Sequence, residues 1–533
     1  MAATINVFGP GVTEAAMAKP NRGSNVSMTA TKPLPRIRSI LLTQQGRLPR
    51  AFVPVGLWMG LPLQTITRKS RRNEPMPFHR RAALLGIAAL SFGASLRAPR
   101  AQPAGASLQG GERVALVGAR YFDGTALRGP ATLLLAGDKI HAIQPDGTAT
   151  LPEGTRRVDL DGQVVLPGLI AGHSHIGHVV GTEAGRHLFT REGVEAQLQR
   201  YLSFGLTTVV ALGMGPPPFH ALRRESQEGR LRGATLYGAG PGLSLPGGAP
   251  PPALMKLDED QVMRASDPAG ARAAVDRMAG LGVDAVKLWI EDAGGQLPMM
   301  PPEMVRATVE AAHRHNLPVV AHIHDVKHAH IAVGAGVDIL GHGIRNAEAD
   351  AALVQAMRQA NTGYIPTIQI DEAEYLYLER PELAQDPFFR AATTEELRAR
   401  MGEEPWKAAQ RAKADRHRAS VRMNQRNLMI LREAGIRIGF GTDSGGTPLR
   451  LPGFAEHREL SLMVEAGLPP AEALRIATEG TATLFGMEGR GVLREGARAD
   501  LVVLSADPLA DIGNSRRIAA VWQAGRQVST GPA

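Results

Sequence analysis

The chain has 533 residues, no cysteine and a formal net charge of +9. The lack of cysteine excludes a disulfide framework, a thiolate-held zinc or iron–sulfur site and a cysteine nucleophile. Residues 1–110 hold 15 Lys and Arg against 2 Asp and Glu, and the remainder holds 45 against 49, so the mildly acidic body gives no basic footprint for nucleic acid.

Residues 1–75 carry no sustained helical or strand period and are rich in Arg, Pro, Ser and Thr. They are expected to precede the true start. Met76 then opens a basic segment with Arg80-Arg81, an apolar stretch over 82–96, and small residues up to about Gln109. This is the pattern of a secretory signal, and the paired arginines resemble a twin-arginine signal. Cleavage is expected after Ala101 or Ala106, with export to the periplasm. The apolar stretch is shorter than the roughly 20 residues a bilayer span needs, so no stable membrane anchor is expected.

From Arg113 the pattern becomes regular. Short strand-like runs at 114–117, 131–135, 140–143 and 157–160 predict a small antiparallel sheet, and runs at 500–504, 518–523 and 526–528 match it at the other end. Together they predict one composite β-sandwich from 111–166 and 490–533. Between them lie eight apolar runs, at 164–171, 207–212, 234–238, 285–289, 318–321, 338–340, 363–367 and 436–440. Helical patterns such as 195–204, 269–281, 302–315 and 351–359 alternate with them. An alternating order predicts an α/β fold with a parallel sheet, here a (β/α)8 TIM barrel over 167–489. An open doubly wound sheet is the alternative, but no Gly-rich phosphate loop opens a helix. The Pro/Gly-rich loop 240–257 and a charged helical insertion over 371–431 are expected at the mouth of the barrel, where active sites lie.

The chemistry-bearing residues stand at the ends of the predicted strands. His173 and His175 end the first in Gly-His-Ser-His; residues two apart on a strand share a face, so both imidazoles can reach one ion. Lys287 ends the fourth run, His322 the fifth, His342 the sixth and Asp443 the eighth. In a barrel these ends converge on one cavity. An ammonium cannot ligate a metal, so Lys287 either pairs with Asp284 or Asp443, or reacts with carbon dioxide to become an anionic carbamate able to bridge two cations.

This set, in this order, resembles the amidohydrolase superfamily over about residues 112–528, and most of all its imidazolonepropionase-like and prolidase-like branch. The carrying motifs are Val-Leu-Pro-Gly-Leu-Ile before His173-Ser-His175, the strand-end Lys287, His322, His342 in Leu-Gly-His-Gly, Gly-Thr-Asp443, and the segment from Gly496 to Pro508. The resemblance implies a hydrolase with two divalent ions, zinc being the expected metal. His173, His175 and Asp443 would hold one ion and His322 and His342 the other, with Lys287 as N6-carboxylysine between them. Asp443 would move the proton, and His324 would polarise the substrate carbonyl. His457 is read as structural, and His313, His315, His328 and His330 as surface residues.

Three positions depart from the family pattern: Ala171, Gly341 and the stretch Gly247-Gly248-Ala249 stand where relatives carry Asp, Glu and a Gly-Gly-His motif. None removes a ligand, but the last faces the pocket and leaves the substrate open. Cleavage of an amide or peptide-type C–N bond, as in a dipeptide or an N-acyl amino acid, is expected. A lactone, carbamate or cyclic imidazolone on the same site is the alternative within the class, and a non-catalytic barrel binding protein the alternative outside it. The expected partner is a small molecule or dipeptide, and a homo-oligomer is left open.

Overall fold

A computed structural model describes residues 112–532; the segment read as an export signal lies outside them. Two kinds of sheet organise the chain. The first joins both ends of the described residues in eight strands. Arg113–Phe122, Leu127–Ala136 and Lys139–Pro145 form an antiparallel meander. Leu501–Leu504, Ile518–Gln523 and Arg526–Ser529 add a second antiparallel set, which joins the first where Leu501–Leu504 pairs with Val164–Pro167. Leu116, Leu133, Val165, Leu501 and Trp522, from both sets, share one apolar cluster.

The sheet is not wholly antiparallel as expected. Arg156–Asp159 and Val164–Pro167 both pair parallel to Arg113–Phe122. The connection after Pro145 crosses back to the free edge of that strand, and a crossover returns a chain in the same direction.

The second kind is parallel. Leu169–Ser174, Leu206–Ala211 and Thr235–Gly238 form one group. Val286–Trp289, Val319–His322, Ile339–Leu340 and Gly363–Tyr364 continue another in chain order. Parallel bridges Tyr364↔Ile438 and Ser174↔Ser444 connect the groups on one side. On the other, the Asp284 N–H donates to the Gly238 carbonyl at 3.0 Å.

Two of the eight expected runs divide differently. The run 164–171 is two strands, broken at Pro167 and Gly168. Gly168 N donates to Asp500 O at 2.8 Å, and a Cβ there would fall 2.1 Å from Thr207 Oγ1, so the chain steps from one sheet to the other at a residue that must be small. The run 436–440 forms only isolated bridges. Its backbone is nonetheless held on both sides, by Gly439 N to Tyr364 O at 2.9 Å and Gly172 N to Phe440 O at 2.9 Å.

The helices show ordinary amphipathic logic. Pro268–Gly280 starts at Asp267, whose side chain accepts from Gly270 N, has proline in its first turn and buries Ala271, Val275 and Met278 on one stripe. Arg191–Ser203 begins a turn earlier than the apolar pattern suggested because Thr190 caps Gly193 N. The expected insertion contains the 30-residue helix Glu404–Glu433, whose buried stripe includes Gln410, Lys413, His417, Asn424 and Asn427. Polar residues on the inner face of a helix need partners there. No helix among the described residues is long and apolar enough to cross a membrane.

Trp522, 1% exposed in the terminal sheet, ties the two ends together. Trp522→Ala is expected to cost about 3–5 kcal/mol by urea denaturation. A loss below about 1 kcal/mol would mean that the composite sheet is not part of the cooperative unit.

Candidate active site

The segments carrying His173 and Asp443 lie against each other through their backbones. Thr442 N and Asp443 N both donate to His173 O, at 3.1 and 2.9 Å, and His175 N donates to Ser444 O at 2.7 Å. Asp443 is held at φ 59, in the left-handed region that a residue with a Cβ seldom occupies. A second frame fixes its neighbours. The Glu456 carboxylate accepts from Thr442 Oγ1 at 2.7 Å, from Ser444 Oγ at 2.5 Å and from Gly453 N at 2.7 Å, and the Tyr201 hydroxyl lies 2.6 Å from Ser444 Oγ. The strained turn therefore sits inside a net of buried hydrogen bonds.

From this frame the side chains converge. His175 Nε2 lies 2.9 Å and His173 Nε2 3.3 Å from Asp443 Oδ1. Lys287 Nζ lies 3.1 Å from His173 Nε2. The rings of His173 and His342 are centred 4.3 Å apart, and those of His342 and His322 4.4 Å apart. All six residues are buried. The fold thus brings together the six residues read as ligands from the sequence. His324 stands aside in the wall of the adjoining cavity, one third exposed, with Nδ1 2.7 Å from Asp325 Oδ1.

Electrostatics favour neutral rings at His173, His322 and His342 beside one ionised carboxylate. Burial, helped by Lys287, holds His173 well below its ordinary pKa; burial and the ring of His173 do the same to His342. Burial brings His322 down to about 4 against the opposing pull of Glu291, and Lys287 down to about 7 against that of Asp443. Burial opposes ionisation of Asp443, but His175 and Arg450 outweigh it and hold the carboxyl well below the usual range. Lys287 forms neither of the two ion pairs considered from sequence: Asp284 is taken by Arg223, and the nearest recorded partner of Lys287 is His173.

These residues fit a cation. One ligand atom each from His173, His175 and Asp443 lies within 4.8 Å of the others, and Nδ1 of both histidines is buried without a hydrogen-bond partner. Neutral imidazole and ionised carboxylate are the forms a divalent ion takes.

Several residues of the site escaped the sequence reading. Glu291 makes a short contact with His322, and Arg450 one with Asp443. Glu291 carried one usable signal, its place just beyond the strand that ends with Lys287 and Trp289. Arg450 carried none. His328, expected at the surface, is 1% exposed. Its Nδ1 accepts from Asp325 N at 3.1 Å and its Nε2 faces Asp292, so it caps the helix Val326–Gly334 from within. His313, His315 and His330 are exposed, each beside an aspartate. His457 is buried between Ser515 Oγ and Phe204 O, as a structural residue would be.

His322 and Lys287 should each make the metal-free protein gain stability as pH rises, while Glu459, raised to about 8 by burial, acts in the opposite direction. The folded values of His322, about 4, and Lys287, about 7, lie below their ordinary 6.5 and 10.5. Between each pair of values the unfolded chain binds more protons than the folded one, so unfolding costs more at higher pH. Urea titrations of metal-free wild type and Lys287→Met at pH 7 and pH 9 test this. Wild type should gain on the order of 1 kcal/mol per pH unit over the variant; parallel behaviour would contradict it.

Comparison with known proteins gives the family and the fold. The model of the amidohydrolase family matches residues 164–528. Ochratoxinase of Aspergillus niger is 29% identical over 231 residues, 42% of this chain; the aligned part spans only 41% of that enzyme. The solved structure of a candidate prolidase from Bifidobacterium longum superposes with a TM-score of 0.64 at 26% identity, covering 79% of this chain and 96% of that one. A Xaa-Pro dipeptidase structure superposes at 0.61 with 24% identity, covering 78% and 100%, which speaks for the fold alone. With the family model covering most of the chain, the protein belongs to the amidohydrolase family.

Proposed function

We propose that the protein is a metal-dependent hydrolase that cleaves an amide or peptide-type C–N bond, with a dipeptide or an N-acyl amino acid as substrate. The observation that carries this reading is the convergence of four histidines, Asp443 and Lys287 in one buried cluster. The parallel pairings and the bridges at Ile438 and Ser444 support a closed (β/α)8 barrel over 167–489, and the sheet built from both ends supports a composite sandwich domain from 111–166 and 490–533. Export through the Arg80-Arg81 signal completes the proposal; the protein should then be found in the periplasmic fraction and be retained when both arginines are replaced by lysine.

His173, His175 and Asp443 would hold one divalent ion, and His322 and His342 a second, with zinc suited to this donor set. Lys287 would join them as a carbamate. The pKa of about 7 leaves much of its amine neutral near neutral pH. The nitrogen lone pair can then form the N–C bond to carbon dioxide with loss of a proton. When bound, such ions supply a water acidified toward a pKa of about 7 and a Lewis acid for the carbonyl. Asp443 accepts the proton of the attacking water and returns it to the leaving nitrogen. Arg450 and the Glu456 frame keep that carboxylate aimed. Asp325 orients the ring of His324 through Nδ1, and only with a proton on both ring nitrogens would Nε2–H donate to the substrate carbonyl oxygen. A lactone, carbamate or cyclic imidazolone would meet the same groups.

A second reading is a single ion on His173, His175 and Asp443, favoured by the fact that, among the groups of three or more His, Asp and Glu residues in the described residues, these alone bring one ligand atom each within 4.8 Å of the others. Metal analysis separates the two. Wild type should hold about two equivalents of zinc and Lys287→Ala clearly fewer; about one equivalent, indifferent to Lys287, would favour the single ion. Asp443→Asn should lower kcat on an N-acyl amino acid by about 10²–10⁴-fold. Unchanged affinity for a bound small molecule with no turnover in either protein would instead mark a binding protein.

A further inference from the structure

A narrow cleft of about 20 Å³ lies among the turn 445–452 that follows Asp443, the helix Arg191–Ser203 and the stretch 392–397. Its polar lining is Gln197, Arg200, Thr393, Thr394, Thr447 and Arg450, and among the described residues no carboxylate lines it. Val179, Leu397 and Leu451 belong to its apolar remainder.

Part of this polar lining is already engaged. Gln197 accepts from Gly177 N at 2.6 Å and donates to Val179 O at 2.5 Å. Thr393 Oγ1 donates to Phe389 O at 3.1 Å and accepts from Arg398 at 2.8 Å, and Thr394 Oγ1 accepts from Leu397 N at 3.2 Å. Three donors remain. Thr447 Oγ1 is the only buried hydroxyl without a hydrogen-bond partner among the described residues, and Arg450 Nε is also buried without one. The half-buried guanidinium of Arg200 meets no carboxylate within ion-pair distance among the described residues. Burial holds Arg200 below its ordinary pKa, and no acid offsets that cost.

One turn sets two of the three donors. Arg450 N donates to Thr447 O at 3.1 Å and Gly445 N to Arg450 O at 2.9 Å, so Thr447 and Arg450 belong to one closed turn. Arg450 Nη1 contacts Asp443 Oδ2, which leaves the charge of Arg200 uncompensated. A cation and orphaned donors in a partly dry cleft favour an anion, because a buried polar group without a partner costs more than one that is paired. Size decides which anion. A space of about 20 Å³ is on the scale of one water, too small for a phosphate, a sulfate or a carboxylate and sufficient for a monatomic ion.

We propose that this cleft is a chloride site, in which Arg200, Thr447 Oγ1 and Arg450 Nε hold one ion. It is separate from the six-residue cluster and independent of the reaction proposed there. A bound chloride joins the helix Arg191–Ser203 to the turn after Asp443 and steadies the guanidinium that contacts that carboxylate. Its binding energy adds to the stability of the folded chain.

The test follows thermal unfolding of the full zinc-loaded chain while chloride replaces gluconate at constant ionic strength. Tm should rise and saturate, by about 1–3 °C in all. Arg200→Met should abolish the rise, and Thr447→Val should move its midpoint to about tenfold higher chloride. Neither variant should lose stability in chloride-free buffer, because one removes an uncompensated charge and the other an unsatisfied hydroxyl. A loss there would show that these groups already have partners within the protein and would count against the site. Crystals soaked in bromide should give an anomalous peak between Arg200 and Thr447. A Tm indifferent to chloride, a rise that both variants keep, or a cleft holding water alone would overturn the proposal. Should either variant fail to fold, the bromide peak decides.

Discussion

The ionised carboxylate of Asp443 is the constraint around which the site is built. A buried charge is tolerated only when its lone pairs are engaged and its surroundings are fixed. Here Arg450 and His175 engage the oxygens, His173 stands beside them, and the backbone is held in a left-handed turn by two bonds to the His173 carbonyl. Glu456, Thr442, Ser444 and Tyr201 extend the arrangement into the core. The cost of this polar nest is offset by the tightness of its packing. Gly172 and Gly441, on either side of the turn, have no room for a side chain: a Cβ would meet Phe440 O at 2.7 Å in one case and His173 N at 2.6 Å in the other.

The same economy explains the departures from the family pattern. Gly341 stands where the resemblance led to the expectation of an acidic residue, and a Cβ there would lie 3.1 Å from Ala321 O and 3.3 Å from His173 Cε1. No longer side chain fits while the histidine rings stand as close as they do. The carboxylate beside His322 comes instead from Glu291, on the neighbouring strand end. The loop 240–257, which lacks the expected histidine, supplies Leu254 and Met255 to a cavity of about 560 Å³. Its Gly248 carbonyl accepts from Arg264 at 3.0 Å, and the Leu245 and Pro250 carbonyls accept from it at 2.7 Å each. In this chain the loop serves as an anchored wall.

What was legible in the sequence followed from periodicity and position. Residues at strand ends converge in a closed parallel barrel, so His173, His175, Lys287, His322, His342 and Asp443 group together from sequence order alone. Partners that arrive from loops or from distant helices could not. Arg450 is one arginine among many, and its role depends on how the chain turns after Gly446. His328 sits on a helix but points inward to satisfy the backbone of its own first turn, which spacing alone does not reveal. Short bridging segments such as 436–444 escape a search for strands because their hydrogen bonds go to two neighbours in isolated pairs. The break at Pro167 and Gly168 was hidden because both halves of the run are equally apolar, though they belong to different sheets.

The proposed chemistry depends on Lys287 linking two ions. The most direct measurement is a crystal structure of protein prepared with zinc and bicarbonate, with anomalous data at the zinc edge. Two anomalous peaks are expected beside the histidines, with density for a carbamate on Lys287 Nζ reaching both. A bare amine beside a single peak bounded by His173, His175 and Asp443 would contradict it.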